Sequence, residues 1–230
     1  MSIQAIDRGS VSKICSGQVV VDLATSVKEL IENSLDAGAT SIEVKLKDMG
    51  VESIEVNDNG FGIDESNFAG IAMKHHTSKL KEFNDLYNVR SFGFRGEALN
   101  ALCELSGNFT VSTKQDAEQL GHMLSFHRNG SLADSKVIAR SNGTTVHVEK
   151  LFDKLPVRRN DFIKSIKKHY QKLIRVAQSY AVISAGVRIL VTNAQTDTSK
   201  KKNTNNNVNK VTTSTILSTQ SRNRLEDNIS

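Results

Sequence analysis

Cysteines, aromatic residues and long apolar runs are all scarce in this sequence. The two cysteines, Cys15 and Cys103, lie far apart and lack CxxC spacing, which argues against a disulfide framework and a structural zinc site. No uninterrupted apolar stretch approaches the roughly 20 residues that span a membrane, and the N-terminus lacks the basic segment and apolar core of a secretory signal. These absences indicate a protein of a reducing compartment, cytosol or nucleus, with no membrane partner.

Aromatic residues make up 5% of the chain and tryptophan is absent, so no aromatic platform for stacking single-stranded nucleic acid is evident. The chain does carry an excess of positive charge, +5 at pH 7. This excess favours acidic partners such as nucleotides or nucleic acid, although a mildly basic enzyme has the same charge. At 230 residues the chain is long enough for one substantial core and the start of another domain.

The alternation of apolar and polar residues predicts an α+β fold. A helix over 28–39 is followed by two short alternating strands, 41–48 and 53–60, which a glycine-containing turn joins into an antiparallel hairpin. A second helix, 64–74, has Asp64 as its N-cap. The later elements are helix 97–105, strands 108–114, 121–128 and 143–152, a long amphipathic helix 162–184 and strand 186–193. This order favours helices packed on one face of a mixed, mostly antiparallel sheet.

The composition changes abruptly after Asn193. Residues 194–213 are polar and asparagine-rich, so we expect a disordered linker or loop there. Residues 214–230 would begin a second domain, with "TSTILST" as a strand and 222–230 as a helix, and neither finds a partner in the sequence. The chain therefore reads as an N-terminal fragment whose first domain is residues 1–193.

The helix "KELIENSLDAGA" carries two acids and an amide, Glu29, Asn33 and Asp36, at steps of four and three along one side. Carboxylates aligned in this way repel each other unless a cation lies against them. A magnesium ion fits, because it keeps several waters, accepts phosphate oxygens and needs few protein ligands such as the Asn33 amide oxygen. Glu29, one turn earlier, would then be placed to deprotonate an attacking water. The alternative is that the two acids are ordinary surface residues.

The motif "NDNGFGI" places Asp58 at the end of a strand and Gly60 and Gly62 in the following turn. Glycines there allow a positive φ or a close approach of the backbone to another group. A buried carboxylate that only accepts hydrogen bonds selects a ring with an exocyclic amine, as adenine has. The same motif also fits a plain hairpin turn.

The segment between His75 and Gly96 has no periodicity and is long for a structureless connection, which favours a functional loop such as a lid. It ends in "SFGFRGEALNAL", where glycines precede a helix whose first amides are unpaired donors that bind anions. Glycine before a helix is also common where no ligand binds. The residues that would contact phosphate are Thr77, Ser78, Lys79, Gly93, Gly96, Glu97 and Ala98.

The order of these motifs, followed by "GTTV" at 143–146, resembles the GHKL ATPases of gyrase, Hsp90 and histidine-kinase type. Within that superfamily, "NSLDAGA", "TSK", "GFRGEAL" and "LFDKLPVR" resemble the MutL-type DNA mismatch-repair proteins. "KICSGQVV", "LKDMGVESIEVNDNG", "KHHTSK" and "GFRGEALNALCELS" are similar to the eukaryotic post-meiotic-segregation subunits. The resemblance runs from about residue 3 to 193 and implies the α/β sandwich of the Bergerat-type ATPase fold.

The resemblance also implies roles for individual residues. Glu29 matches the general base, Asn33 the magnesium ligand and Asp58 the adenine-recognising acid. The remaining positions implied for nucleotide binding are Asp36, Gly60, Gly62 and Thr144, and, in a phosphate lid over 75–97, Thr77, Ser78, Lys79, Gly93, Phe94, Arg95, Gly96, Glu97, Ala98 and Leu99. A further lysine on the γ-phosphate is expected from the second domain of the family.

By the same resemblance, the chain is expected to bind ATP and Mg²⁺ and to hydrolyse ATP slowly. Lid closure would order an N-terminal arm, 1–17, and bring two subunits together as a clamp on DNA. The implied partners are a second MutL homologue in a heterodimer, DNA phosphates and mismatch-recognition proteins in the nucleus. The rival interpretation is a nucleotide-sensing dimerisation module with negligible turnover, against which Glu29 argues because a sensor needs no base.

Several residues outside these motifs also have predicted roles. Cys103 is expected in the core, and the adjacent pair His75 and His76 is not expected to bind a metal. Arg158 and Arg159 would contact DNA or dock another domain. A basic stripe on the long helix is either solvated or in contact with DNA phosphates, and consists of Lys164, Lys168, Lys172 and Arg175.

Overall fold

The computed structural model describes residues 5, 7–77, 91–92, 96–197 and 210–220. Its helices are α1 Arg8–Val19, α2 Leu23–Asp36, α3 Ala98–Leu105, α4 Pro156–Lys164 and α5 Ile166–Ile183, with 3₁₀ turns at Asp48–Gly50 and Glu65–Gly70. Its strands are β1 Ser41–Lys47, β2 Ser53–Asp58, β3 Asn108–Lys114, β4 Gly121–Phe126, β5 Leu132–Ile138, β6 Gly143–Glu149, β7 Arg188–Asp197 and β8 Lys210–Ser218. Within these residues, none of the helices has the length and apolar character needed to cross a membrane.

All of these strands form a single mixed sheet in the order β5-β4-β3-β6-β2-β1-β7-β8. β1 and β2 pair antiparallel, with Val44 opposite Val56, as the alternating pattern predicts. β1 and β7 are parallel, and the remaining neighbours are antiparallel. The prediction of a mixed, mostly antiparallel sheet in an α+β fold is confirmed.

The core lies between one face of the sheet and the helices. Alternate residues of β1, Ile42, Val44 and Leu46, are buried, because successive side chains of a strand point to opposite faces. Val27 and Ile31 of α2 pack into the same cluster as these side chains. The apolar sides of the helices therefore close one face of the sheet, and Cys103 lies in this core as predicted.

Two predicted helices differ from the observed ones. The region 64–74 forms only a 3₁₀ turn that ends at Gly70, although Asp64 does cap it by accepting from the Ser66 amide. The predicted helix 162–184 is two helices that meet at Ser165. The first begins early, at Pro156, because proline is favoured in the first turn, and the Phe162 ring is held edge-on against the ring of Phe152.

The sheet also continues beyond the strand predicted at 186–193. β7 extends to Asp197, and β8 begins at Lys210 and pairs antiparallel with β7, so that Thr192 lies opposite Thr215. The strand predicted from "TSTILST" therefore does have a partner, within the same sheet. The expected polar linker, 194–213, begins and ends inside these strands, and 198–209 and 221–230 lie outside the described residues.

Both arginines of the "LPVRR" motif bind the backbone of this chain. Arg158 donates to the carbonyl oxygens of Gly17 at 2.9 Å and of Val20 at 2.9 Å, and its guanidinium lies 4.3 Å from the centre of the Phe152 ring. Arg159 donates to the Leu151 carbonyl at 2.8 Å. The first arginine thereby caps the end of α1, which neither of the two predicted roles anticipated.

Candidate functional site

Helix α2 presents the predicted polar stripe. Asp22 begins the helix by accepting from the Thr25 amide at 2.8 Å and pairs with Lys172 at 2.6 Å. Burial alone would raise the pKa of Asp22, but the hydrogen bonds and charge of these partners hold it below its ordinary value. With its start fixed, the helix buries its apolar side and leaves Glu29 and Asn33 partly exposed on another.

Asp58, at the end of β2, is 7% exposed and is held by three hydrogen bonds. One carboxylate oxygen accepts from the Gly60 amide at 2.9 Å and from the Thr144 amide at 3.1 Å. The other accepts from the Ser34 hydroxyl at 2.9 Å. A carboxylate offers about four acceptor positions, so these bonds leave about one, and its direction is fixed by three separate segments of the chain.

The "DNGFG" segment passes between α2 and β3 and is not a hairpin turn, since β2 pairs with β1 and β6. A Cβ on Gly60 would lie 2.7 Å from the Ala37 carbonyl oxygen, at the end of α2. Gly62 has a φ of +76°, and a Cβ there would lie 2.3 Å from the Lys114 carbonyl oxygen. Both glycines are therefore required by close backbone approaches, and the hairpin alternative is wrong.

Thr113 of β3 connects the segment after Asp58 to Thr144 of β6. Its hydroxyl is fully buried, accepts from the Ile63 amide at 2.9 Å and lies 3.2 Å from the Thr144 hydroxyl. The predicted site residues include Thr144 but not Thr113 or Ser34, although Ser34 lies within the "NSLDAGA" motif. Ser34 carried a usable signal, because it is a hydroxyl on the buried side of an amphipathic helix.

Gly143 is expected to be far less replaceable than Gly38. Alanine at Gly143 would combine a φ of +115° with a Cβ 2.0 Å from the Asp58 carbonyl oxygen, whereas Gly38 has a φ of +68° and no atom within 4 Å. Gly38→Ala therefore measures the conformational cost alone, about 1 kcal/mol. Gly143→Ala should lower the free energy of unfolding by about 3 kcal/mol or more in urea titration. Equal losses of unfolding free energy in the two variants would show that the backbone of Gly143 does not approach the Asp58 carbonyl as closely as described.

The two ends of the predicted lid lie against each other. A Cβ on Gly96, whose φ is +59°, would lie 2.2 Å from the His76 carbonyl oxygen. The His75 imidazole lies 3.3 Å from the carboxylate of Glu97, the residue before α3. Ala98 and Leu99 form the first turn of α3, and Thr77 is half-buried. The other predicted lid residues, Ser78, Lys79, Gly93, Phe94 and Arg95, lie outside the described residues.

Asp36 links the end of α2 to the last part of this segment, because its carboxylate accepts from the Phe92 amide at 3.0 Å. Among the described residues there is no group of three or more histidine, cysteine or acidic side chains that could hold a metal ion. The partly exposed Asn33 amide is a protein group that could hold a divalent cation together with ligand oxygens from a substrate.

Comparison with known proteins identifies the relatives of this chain. Residues 21–155 match the family model "Histidine kinase-, DNA gyrase B-, and HSP90-like ATPase". The chain is 54% identical over 192 residues to the human "Mismatch repair endonuclease PMS2", covering 84% of this chain and 22% of that protein. It is 48% identical over 227 residues to the Arabidopsis thaliana "DNA mismatch repair protein PMS1", covering 99% of this chain and 23% of that protein. The chain thus spans less than a quarter of the length of these relatives.

Two solved structures are also similar. A crystal structure of the N-terminal domain of a DNA repair protein superposes with a TM-score of 0.77 at 40% identity, covering 95% of this chain and 59% of that one. The Aquifex aeolicus MutL ATPase domain complexed with ADP superposes with a TM-score of 0.55 at 28% identity, covering 74% and 59%. The chain belongs to the family of histidine kinase-, DNA gyrase B- and HSP90-like ATPases, and its relatives within that family are MutL- and PMS-type proteins.

Proposed function

We propose that this chain binds ATP with magnesium and hydrolyses it slowly, with the adenine ring against Asp58 and the γ-phosphate toward Glu29. The observation that carries the proposal is the fixed Asp58 carboxylate, which Ser34 joins directly to the helix of Glu29 and Asn33. Ser34 follows Glu29 by five residues, about 7.5 Å along the helix axis at 1.5 Å per residue. The two ends of one elongated ligand can therefore bind along one helix.

The acceptor position left on Asp58 fits the exocyclic amine of adenine. Guanine has a carbonyl oxygen at the corresponding place. A carbonyl and a carboxylate are both hydrogen-bond acceptors, so they would repel each other. The close backbone passages at Gly60 and Gly62, together with Thr144, would line the base. The ADP named in the Aquifex aeolicus structure supports an adenine nucleotide as the ligand of this family.

The phosphates would extend along α2 toward the lid. The Asn33 amide oxygen would hold magnesium, which when bound would neutralise charge on the phosphates. Glu29 would accept a proton from the attacking water as an oxygen–phosphorus bond forms at the γ-phosphate. The bond to the bridging oxygen breaks, leaving ADP and inorganic phosphate. The lid residues, Lys79 and Arg95 among them, would contact the phosphates.

In the whole protein we assign these events to DNA mismatch repair, because the relatives carry that name. The predicted ATPase domain, 1–193, would also include the end of β7 and β8, because both belong to its sheet. ATP would close the lid at 75–97, fix the position of the arm at 1–17, whose residues 8–17 are already helical in α1, and drive dimerisation around DNA. Contacts of α1 support a link between the arm and the lid: Ser12 and Ser16 donate to Glu104 of α3, at 2.8 and 2.6 Å. The partner would be a second MutL homologue, and the location the nucleus.

The competing function is a nucleotide-sensing dimerisation module that binds ATP without appreciable turnover. A sensor needs Asp58 and the lid but has no use for a carboxylate beside the γ-phosphate. Glu29 is partly exposed on the same helix as Ser34, which favours the enzyme.

Titration calorimetry with ATP, with and without Mg²⁺, tests the function when turnover is followed in parallel. We expect magnesium to tighten ATP binding by about tenfold or more, because the Asn33 amide is neutral and the cation itself would neutralise the phosphate charge. GTP should bind much more weakly, and phosphate should appear only with Mg²⁺. If ATP fails to bind at millimolar concentration, or GTP binds equally well, the proposed adenine site is wrong.

A further inference from the structure

A buried carboxylate next to the proposed base takes no part in the reaction described above. Glu32 lies one turn from Lys28 on α2 and its side chain is 7% exposed. One of its oxygens accepts from the Lys28 ammonium at 2.7 Å, and the other accepts from the Tyr180 hydroxyl on α5. Both oxygens of this buried acid are therefore engaged, as a buried charge requires.

The Lys28 ammonium continues from Glu32 to the proposed base. It lies 3.3 Å from a carboxylate oxygen of Glu29, so it bridges the two acids. Burial would lower the pKa of Lys28, but the hydrogen bond to Glu32 and the negative charges of both acids raise it above its ordinary value. The bridging group therefore stays charged.

Helix geometry shows that the bridge depends on Glu32. Neighbouring residues such as Lys28 and Glu29 do not face each other on a helix, whereas residues four apart do. An ammonium without a second partner would extend into solvent, because an exposed ion pair contributes little by itself. Glu32, oriented by Tyr180, draws the ammonium to the place where it also reaches Glu29.

We infer that Lys28 is a positioning residue for Glu29, and that Glu32 and Tyr180 hold it in place. The inference rests on the proposed function, in which Glu29 is the base. Glu29 is 28% exposed in its side chain, and a glutamate has three side-chain torsions with several wells each. A single ammonium contact restricts the carboxylate to orientations from which it can meet a water on the γ-phosphate.

The network extends to the segment predicted as the lid. The ring of Phe92 lies edge-on to the ring of Tyr180, with 6.1 Å between centroids. The Phe92 amide donates to Asp36 on the same helix as Lys28. The position of Tyr180, and through Glu32 that of Lys28, is therefore sensitive to what happens at Phe92.

Single-turnover hydrolysis of ATP, with the chain in excess, tests the inference. Lys28→Met keeps the length of the side chain and removes its charge, and it should lower the hydrolysis rate constant by about tenfold. The Kd for ATP should stay within about twofold of the parent value, because Lys28 contacts Glu29 rather than the proposed phosphate ligands. Lys28→Arg, which retains the charge, should recover most of the rate.

Lys45→Met provides the matched control. Lys45 lies 3.2 Å from Glu43 and 3.2 Å from Glu55 on the other face of the sheet, so it also bridges two acids. Its replacement should leave the rate and the Kd unchanged. If Lys45→Met lost as much rate as Lys28→Met, a general loss of stability would explain both results, and the inference would be overturned.

A second variant tests the network without removing the lysine. Tyr180→Phe keeps the ring against Phe92 and removes only the hydroxyl on Glu32, so we expect a rate loss of about threefold. In the double variant with Lys28→Met, this loss should disappear, because both changes act through the same contact. Full additivity of the two losses would contradict a shared network.

The outcomes separate the inference from the proposed function. If Glu29→Ala is inactive while Lys28→Met has the parent rate, the function stands and the positioning role is wrong. A weaker Kd in Lys28→Met at an unchanged rate also overturns the role, because it makes Lys28 a binding residue. If Glu29→Ala hydrolyses ATP at the parent rate, Glu29 is not the base and the inference fails, while the ATPase function stands. If the unmodified chain does not hydrolyse ATP, the proposed function itself fails.

Discussion

Glu29→Ala is expected to lower the rate constant for ATP hydrolysis by about 100-fold or more, since removing a general base costs that much. The Kd for ATP should stay within about threefold of the parent value. The base is needed only when the water attacks, whereas Asp58, Asn33 and the lid residues remain to bind the nucleotide. Phosphate release and calorimetry on the same preparation measure both quantities.

Two further variants sharpen this result. Asn33→Ala should lose binding with magnesium as well as hydrolysis, because it removes the proposed metal ligand. Glu52→Ala changes an acid just before β2, at the opposite end of that strand from Asp58, and should leave both quantities unchanged. Hydrolysis by Glu29→Ala at the parent rate would show that Glu29 is not the general base.

Asp58→Asn is expected to raise the Kd for ATP by about 30- to 100-fold, the cost of one lost hydrogen bond and one unpaired polar group. An asparagine oxygen can still accept from the amides of Gly60 and Thr144. Its amino group then faces Ser34 and the adenine amine, where acceptors are needed. The Ser34 hydroxyl can adapt by donating to the Leu30 carbonyl, 3.1 Å away, while accepting from the amide. The exocyclic amine of adenine cannot.

Asp58→Asn should therefore reduce ATP affinity much more than it reduces the stability of the fold. Thermal unfolding without nucleotide should change little, while stabilisation by added ATP should be largely lost. Asp64→Asn is the matched control, since Asp64 also accepts from a nearby amide, that of Ser66, but lies in an exposed turn. An unchanged ATP affinity in Asp58→Asn would refute adenine recognition by this carboxylate.

Local patterns in the sequence predict a large part of the fold. The buried side of α2, the hairpin of β1 and β2, and the buried alternate residues of β1 follow from short-range periodicity. The polar stripe on α2 and the motif around Asp58 are equally local. Their proximity is not, because it depends on the Ser34 hydroxyl bond between elements 24 residues apart.

Features that depend on distant partners could not be predicted. Arg158 binds carbonyl groups of Gly17 in α1 and of Val20, its C-cap, which lie more than 130 residues earlier, and no local pattern identifies a backbone acceptor. The partner of β8 was missed because this edge strand is mostly exposed and polar. Its β-branched residues favour a strand, but only the neighbouring β7 decides where it pairs.

The helix break at Ser165 has a similar cause. Apolar spacing continues from α4 into α5, so periodicity alone predicts one helix. In the structure Phe162 is buried against Phe152, whereas Ile163 is 42% exposed. The ring contact of Phe162 accompanies the end of α4 at Lys164, and such packing is a tertiary effect that a helical pattern does not contain.

A crystal structure of the chain with a non-hydrolysable ATP analogue and Mg²⁺ would show whether the proposed site binds the nucleotide. The exocyclic amine of adenine should lie within about 3.2 Å of the Asp58 carboxylate, magnesium on the Asn33 amide oxygen, and the γ-phosphate on the Glu29 side of α2. A nucleotide bound elsewhere, or one whose base makes no contact with Asp58 while its phosphates point away from Glu29, would contradict the proposed site.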